Sequence, residues 1–324
     1  MNRLLKIFVT ILVLPVLLVA CNVSNKNVSE EKKNSADKLN VYTTIYPLQY
    51  FSKRIGGDYI NVENIIPPGT DAHTFELSSK AMVKIAQSEA FIYSGTGIDG
   101  FSTSVIKSIK KEDVQIINAA NGINLLKSTV DDSHEDHATE TDKTDKHEEE
   151  LDVDPHVWLD PNRAIKLAEN IKDSLVKLKP SAKKDFEDNF ISLKQDLEKL
   201  DNDFKDMANK SPNKTFIVSH SAYGYWEDVY GLKQIGISGL SPTNEPSQKK
   251  LKEIIEIAQK NNISYILFEP NLSNKVAQVV KKEVGANTLT LHNLESLTTN
   301  NIKNKDDYFS IMRNNISSLQ KALQ

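Results

Sequence analysis

Short apolar runs alternate with helical stripes along most of the chain. Runs that are rich in β-branched or aromatic side chains and end at turn residues predict strands. These runs lie at residues 39–45, 62–66, 90–93, 114–117, 215–218, 232–237, 265–268 and 288–291. Apolar side chains at three- and four-residue spacing predict helices at residues 48–55, 79–88, 247–258, 276–284 and 308–323. Strands and helices that alternate at these lengths indicate α/β layers with parallel sheets.

Two longer helices are predicted between the two halves of this pattern. The first begins at Pro161, because Asp160 can cap it and proline fits the first helical position. The second runs from about 181 to 209, where apolar residues recur at spacings of four and three. At 1.5 Å per residue such a helix spans roughly 40 Å. So few heptads argue against a coiled coil and favour one helix that packs along two domains.

Length and composition fit a soluble protein of two domains once the N-terminus is set aside. The chain has 324 residues, of which 39% are hydrophobic and 26% charged. Residues 1–20 combine Arg3 and Lys6 with an apolar run that ends in small residues, which predicts a signal peptide. Removing Arg3 and Lys6 leaves 38 of the 40 basic residues against 44 acidic ones, a net charge of −6. No nucleic-acid partner is expected for such a chain.

Cys21 is the only cysteine in the sequence, so an internal disulfide and a thiolate cluster for zinc are both excluded. Leu18-Val19-Ala20-Cys21 resembles a bacterial lipobox, which implies that Cys21 is lipidated and holds the protein at the cell membrane. The alternative is an ordinary signal peptide that happens to contain a cysteine. Residues 21–38 are mostly polar and are predicted to form a flexible tether.

The segment 131–150 interrupts the α/β pattern. It holds ten acidic residues and no large apolar side chain, which predicts a disordered loop. Its three histidines are His134, His137 and His147. Two interpretations stay open for it, a weak secondary metal trap and a solvated spacer without a function.

Outside the acidic loop, four histidines remain, one on each of four separate segments: His73, His156, His220 and His292. His73 and His220 follow predicted strands, and ligands of open α/β sheets bind beyond the carboxyl ends of strands. His156 lies between two Asp-Pro steps that restrict its backbone, which suits a metal ligand. With no cysteine near them, this pattern favours a metal site of nitrogen and oxygen ligands. From the residues alone, Glu269 at the end of a buried strand is the favoured carboxylate.

Several of these segments carry a specific resemblance. The motifs are Pro67-Pro68-Gly69-Thr70-Asp71-Ala72-His73, Asp154-Pro155-His156-Val157-Trp158, Ser219-His220-Ser221-Ala222-Tyr223, Gly239-Leu240-Ser241-Pro242 and Leu294-Glu295-Ser296-Leu297. Together they resemble the zinc-binding lipoproteins of ABC importers, in the metal-specific substrate-binding family called cluster A-I or cluster 9. The resemblance implies two lobes, each a small, mainly parallel sheet flanked by helices, joined by one long rigid backbone helix. On this chain the implied parts are an N-terminal metal-binding lobe at 39–160, helices at 161–210 with the linking helix at 181–209, and a C-terminal metal-binding lobe at 211–324.

The resemblance also implies the ligands of a metal held between the lobes. They are His73, His156, His220 and Glu295. Glu269 then becomes a neighbouring or structural residue. His292 becomes a surface residue near the pocket, although it remains a possible substitute for the fourth ligand. The chain departs from the family at Ala72 and Leu77, where proline is usual, and these changes could loosen the loop that carries His73.

Three imidazoles and one carboxylate suit tetrahedral Zn²⁺ better than Mn²⁺, which prefers more oxygen. We therefore expect an extracytoplasmic, lipid-anchored zinc receptor that works as a monomer and delivers Zn²⁺ to an ABC-transporter permease with a cytoplasmic ATPase. A manganese or iron receptor of the same family is the first alternative. A zinc-dependent hydrolase is the second, but catalytic zinc keeps a position open for water, and no further carboxylate suggests a general base. A surface adhesin is the third, without a sequence feature that marks it.

Overall fold

The computed structural model describes residues 38–127, 153–270 and 275–324. The predicted signal peptide, Cys21, nearly all of the tether and the acidic loop with its three histidines lie outside these residues. In the described part of the chain, no helix has the length and apolar character that crossing a membrane requires.

The N-terminal sheet contains four parallel strands in the order β2-β1-β3-β4. They are β1 (Leu39–Thr43), β2 (Ile60–Asn64), β3 (Ala90–Tyr93) and β4 (Gln115–Asn118). The helices between them are α1 (Tyr46–Gly56), α2 (Ser79–Ala86) and α3 (Ser102–Ile109). The Gly56-Gly57 stop that the sequence predicts is confirmed, because Gly57 ends α1 with a φ of 51°, a conformation that glycine adopts at little cost.

Two long helices follow, α4 (Pro161–Leu178) and α5 (Lys183–Lys210). Asp160 caps α4 as predicted, since its side chain accepts a hydrogen bond from the backbone of Asn162 at 2.9 Å. α5 begins two residues later than predicted, because residues 180–182 form a separate 3₁₀ turn. With 28 residues α5 is about 42 Å long.

The C-terminal sheet repeats the topology of the first, with four parallel strands in the order β6-β5-β7-β8. They are β5 (Thr215–His220), β6 (Lys233–Ser238), β7 (Tyr265–Phe268) and β8 (Asn287–Thr290). The remaining helices are α6 (Gly224–Tyr230), α7 (Gln248–Lys260), α8 (Lys275–Val284), α9 (Thr299–Asn304) and α10 (Tyr308–Ala322). The architecture predicted from the sequence, two small parallel sheets with helices and one long helix, is confirmed.

The apolar stripe of α5 lets this one helix pack against elements from both halves of the chain. Its buried side chains include Phe186, Leu193, Leu200 and Phe204, and α5 contacts α1 and α4 as well as α6 and α10. One hydrophobic core therefore runs from the N-terminal sheet across α4 and α5 to α6 and α10. Two smaller clusters fill the outer faces, one under α2 and α3 and one under α7 and α8.

Candidate metal centre

Four side chains from distant segments converge where the carboxyl ends of the two sheets lie. One donor atom from each of His73, His156, His220 and Glu295 lies within 4.8 Å of the others. His220 is the last residue of β5, which extends two residues beyond the strand predicted at 215–218. The other three lie outside helices and strands, in the segments after β2, before α4 and after β8.

The inner atoms of these residues face one another at short distances. Glu295 Oε1 is 3.4 Å from Nε2 of His73 and 3.3 Å from Nε2 of His156. The Nε2 atoms of His156 and His220 are 3.4 Å apart. Apart from partly buried His73, the residues of the cluster are at most 3% exposed. Several lone pairs directed at one buried point form a site that a divalent cation satisfies.

Two carboxylates orient the imidazoles from outside. Asp154 Oδ1 lies 2.9 Å from Nδ1 of His156 and also accepts a hydrogen bond from its backbone N–H at 3.0 Å. Glu269 Oε1 lies 3.0 Å from Nδ1 of His220. A carboxylate on Nδ1 fixes the proton there, so the lone pair of Nε2 is directed into the site.

His73 has a different environment. Its backbone N–H donates to Asp71 Oδ1 at 3.0 Å, which orders the loop. Its Nε2 atom, however, is buried without a hydrogen-bond partner among the described residues, because the contact with Glu295 lacks hydrogen-bond geometry. A buried polar atom without a partner costs free energy, and a cation at the centre of the cluster would provide that partner.

Glu295 is held by residues from both ends of the chain. Its Oε1 accepts a hydrogen bond from the side-chain amide of Asn293 at 2.9 Å, and its carbonyl oxygen accepts one from the N–H of Tyr46 at 3.0 Å. The N–H of Ala72 lies 3.4 Å from Oε2, a contact that a proline at this position could not make. Leu294 adopts a φ of 63°, an uncommon conformation for a buried leucine.

Charge inside the cluster shifts the pKa values of two groups in opposite directions. Burial lowers the pKa of His156, but Asp154 and Glu295 outweigh it and raise this pKa to about 9. Burial raises the pKa of Glu295, but His156 and His73 outweigh it and hold this pKa well below its usual value. Without a metal, a proton on His156 therefore compensates the ionised Glu295.

The segment that carries His156 is fixed by aromatic side chains rather than by its prolines alone. Tyr225 donates to the carbonyl of Asp154 at 2.9 Å, and Tyr308 donates to the carbonyl of Trp158 at 2.6 Å. Trp158 Nε1 in turn donates to the carbonyl of Asn293 at 2.8 Å. The sequence analysis missed these contacts, because nothing in a lone aromatic residue tells which distant carbonyl it will reach.

Two further candidates occupy other positions. Glu269 faces the outer nitrogen of His220 and lies outside the four-residue cluster. The expectation of a surface position for His292 is wrong, since it is only 4% exposed. Its Nε2 lies 3.1 Å from Asn301 Oδ1, its Nδ1 accepts the N–H of Leu294 at 3.0 Å, and burial lowers its pKa. Both ring nitrogens of His292 are thus engaged by protein groups.

The chain matches a known protein family over most of its length. The family described as ZnuA, zinc-uptake complex component A, periplasmic, matches residues 41–322, so the chain belongs to this family.

Three relatives illustrate the similarity. The zinc-binding lipoprotein AdcA of Streptococcus pneumoniae R6 is 38% identical over 306 residues, which cover 94% of this chain but 58% of that protein. This chain therefore spans little more than half the length of that relative. The high-affinity zinc uptake system protein ZnuA of Bacillus subtilis 168 is 35% identical, with 95% of this chain and 94% of that protein covered. The crystal structure of the Zn(II)-bound ZnuA-like domain of S. pneumoniae AdcA has a TM-score of 0.73 and 37% identity, covering 88% of this chain and 99% of that domain.

Proposed function

We propose that His73, His156, His220 and Glu295 bind one Zn²⁺ and that the protein is a zinc receptor of an ABC importer. The observation that carries the proposal is the convergence of three imidazole nitrogens and one carboxylate oxygen within 4.8 Å. Three nitrogens and one oxygen form a closed tetrahedral shell, with bonds of about 2.0–2.2 Å. The names of the relatives from S. pneumoniae and B. subtilis support zinc as the cargo.

The proposed biological setting extends this function. Lipidated Cys21 anchors the protein outside the cytoplasmic membrane, and residues 21–38 serve as its tether. The receptor works as a monomer and hands Zn²⁺ to a permease that a cytoplasmic ATPase drives. The metal is cargo, so no enzymatic activity is assigned.

The proposed domain division places an N-terminal lobe at 39–160, connecting helices at 161–210 and a C-terminal lobe at 211–324. The histidines of the acidic loop, His134, His137 and His147, form at most a weak secondary zinc trap. Ordering a stretch of this polar composition around a metal costs entropy, so its affinity lies far below that of the four-residue cluster.

Metal analysis of the purified protein, followed by competition titration of zinc against manganese, tests the proposal. We expect one tightly bound zinc per chain and much weaker manganese binding. Preferential manganese binding would instead support the alternative receptor of the same family. Turnover of ester or peptide substrates by the zinc-loaded protein would support a hydrolase and overturn the receptor assignment.

A further inference from the structure

Glu269 is a buried carboxylate at the end of β7 that lies next to the candidate metal centre without joining it. It is 4% exposed. Its Oε2 accepts a hydrogen bond from the hydroxyl of Ser219, and its Oε1 lies 3.0 Å from Nδ1 of His220 and 3.3 Å from the hydroxyl of Tyr223. A carboxyl group at this depth needs hydrogen-bond partners, so Ser219, His220 and Tyr223 together fix its orientation.

Tyr223 connects this group of contacts to the segment that follows β8. Its side chain is fully buried, and its single hydroxyl proton is shared between Oε1 of Glu269 and the carbonyl oxygen of Leu291, which is the nearer acceptor at 3.0 Å. Leu291 follows β8 directly and begins the short segment that leads to Glu295. Glu269 and Tyr223 therefore connect the outer nitrogen of His220 with the backbone that carries the candidate carboxylate ligand.

We propose that Glu269 and Tyr223 are a positioning pair, which holds the Nδ1–H tautomer of His220 and sets its spacing from the Glu295 segment. This inference rests on the proposed zinc function. In this arrangement the Nε2 lone pair of His220 points at the metal before zinc arrives. The pair thereby slows the dissociation of zinc without contacting it.

The substitutions Glu269→Gln and Tyr223→Phe test the pair while nearly preserving side-chain shape. We expect Glu269→Gln to weaken zinc binding by about 10–100-fold, mainly through faster dissociation, and Tyr223→Phe to weaken it less. Because the two groups act on one histidine, the double variant should lose less affinity than the two single effects combined. The visible spectrum of the Co²⁺-loaded variants should keep the intense bands of a four-coordinate site, because no direct ligand is removed.

Tyr230→Phe is the matched control. The hydroxyl of Tyr230 also reaches a buried carboxylate, Asp201 Oδ1 at 3.1 Å, which accepts the side-chain amide of Asn162 at 3.0 Å as well, and none of these residues belongs to the four-residue cluster. Tyr230→Phe should lower thermal stability and leave the zinc dissociation rate unchanged.

Three results would overturn the inference. They are wild-type dissociation rates in both variants, loss of the four-coordinate Co²⁺ spectrum in Glu269→Gln, or an equal rate change in the Tyr230→Phe control. The second result would make Glu269 a ligand. Failure of the proposed function is recognised separately, since wild-type protein would then show no tight zinc binding at all.

Discussion

Replacing His220 with alanine should weaken zinc binding by more than about 100-fold while the fold survives. Substitutions that only disturb the orientation of a ligand typically cost about 10–100-fold, so removal of a direct ligand should exceed about 100-fold, or about 2.7 kcal/mol. The variant leaves Glu269 buried, but Ser219 and Tyr223 still contact that carboxylate. The folding penalty should therefore stay near 1–3 kcal/mol.

The assay is the free energy of unfolding as a function of buffered free zinc. For one site that only the folded protein provides, each tenfold rise in zinc above Kd adds about 1.4 kcal/mol. For a protein of this size that corresponds to a rise in Tm of roughly 2–3 °C per decade. His220→Ala should show the same slope, but its rise should begin at a zinc concentration more than about 100-fold higher.

Leu197→Ala provides the control for a general loss of stability. Leu197 is fully buried on α5, and its truncation should cost about 2–5 kcal/mol at every zinc concentration. The zinc concentration at which stability begins to rise should not change. If His220→Ala also left that onset unchanged, the ligand assignment would be refuted. A wild-type slope near twice the expected value would reveal a second site.

Deleting residues 131–150 should leave the onset of zinc stabilisation unchanged in the same assay; a large shift of the onset would show that the acidic loop contributes to the main site. Gly224→Ala should weaken zinc binding about tenfold with an unchanged Co²⁺ spectrum, because a Cβ at Gly224 would lie 2.4 Å from Asp154 Oδ2 and displace the carboxylate that orients His156. At pH 8, zinc binding should release about one proton per metal, because the pKa of His156 is raised to about 9 without metal and zinc must replace that proton. Calorimetry in buffers of different ionisation enthalpy measures this release, and a value near zero would contradict the proton-for-zinc exchange.

The strands were predictable where the apolar run and the hydrogen-bonded ladder coincide. Both limits of β3 and β7 agree with the prediction, because each run is bounded by polar or turn residues. The strand predicted at 62–66 is shifted, since the sheet pairing covers Ile60–Asn64. Ile65 and Ile66 are buried although the strand has already ended. Their hydrophobic side chains therefore indicate burial and not strand pairing.

The helices α3, α6 and α9 were not predicted, and for α6 the reason is that tertiary contacts stabilise it more than local propensity does. α6 begins at Gly224 and is rich in aromatic residues, which have modest helix propensity. Its Trp226 packs on Phe204 of α5 with ring centroids 5.0 Å apart, and its indole donates to the carbonyl of Leu159 at 2.8 Å. Neither partner is near in sequence, so no local pattern could indicate the helix.

The candidate histidines could be identified from the sequence because imidazole is a common metal ligand, whereas Glu295 was preferred to Glu269 only through the family resemblance. Their roles relative to one another were not accessible. Glu269 and Glu295 both follow predicted strands, and only the fold shows that one faces the outer nitrogen of His220 while the other faces its inner side. The burial of His292 depends on Asn301 and Asn315, which α9 and α10 bring from further along the chain.

The hydrogen bonds of the Glu295 segment explain why His220 is the most informative residue to change. Although Glu295 follows the C-terminal sheet, its carbonyl bonds to the N–H of Tyr46, and the carbonyl of Leu297 accepts the N–H of Gly69 at 2.7 Å. The carboxylate is therefore tied to the first residue of α1 and to the segment that follows β2. His220, by contrast, is paired through β5 within the C-terminal sheet. Substituting His220 removes the one ligand that a strand of that sheet contributes directly to the cluster. The resulting loss of zinc affinity therefore measures how much the C-terminal sheet contributes to zinc binding.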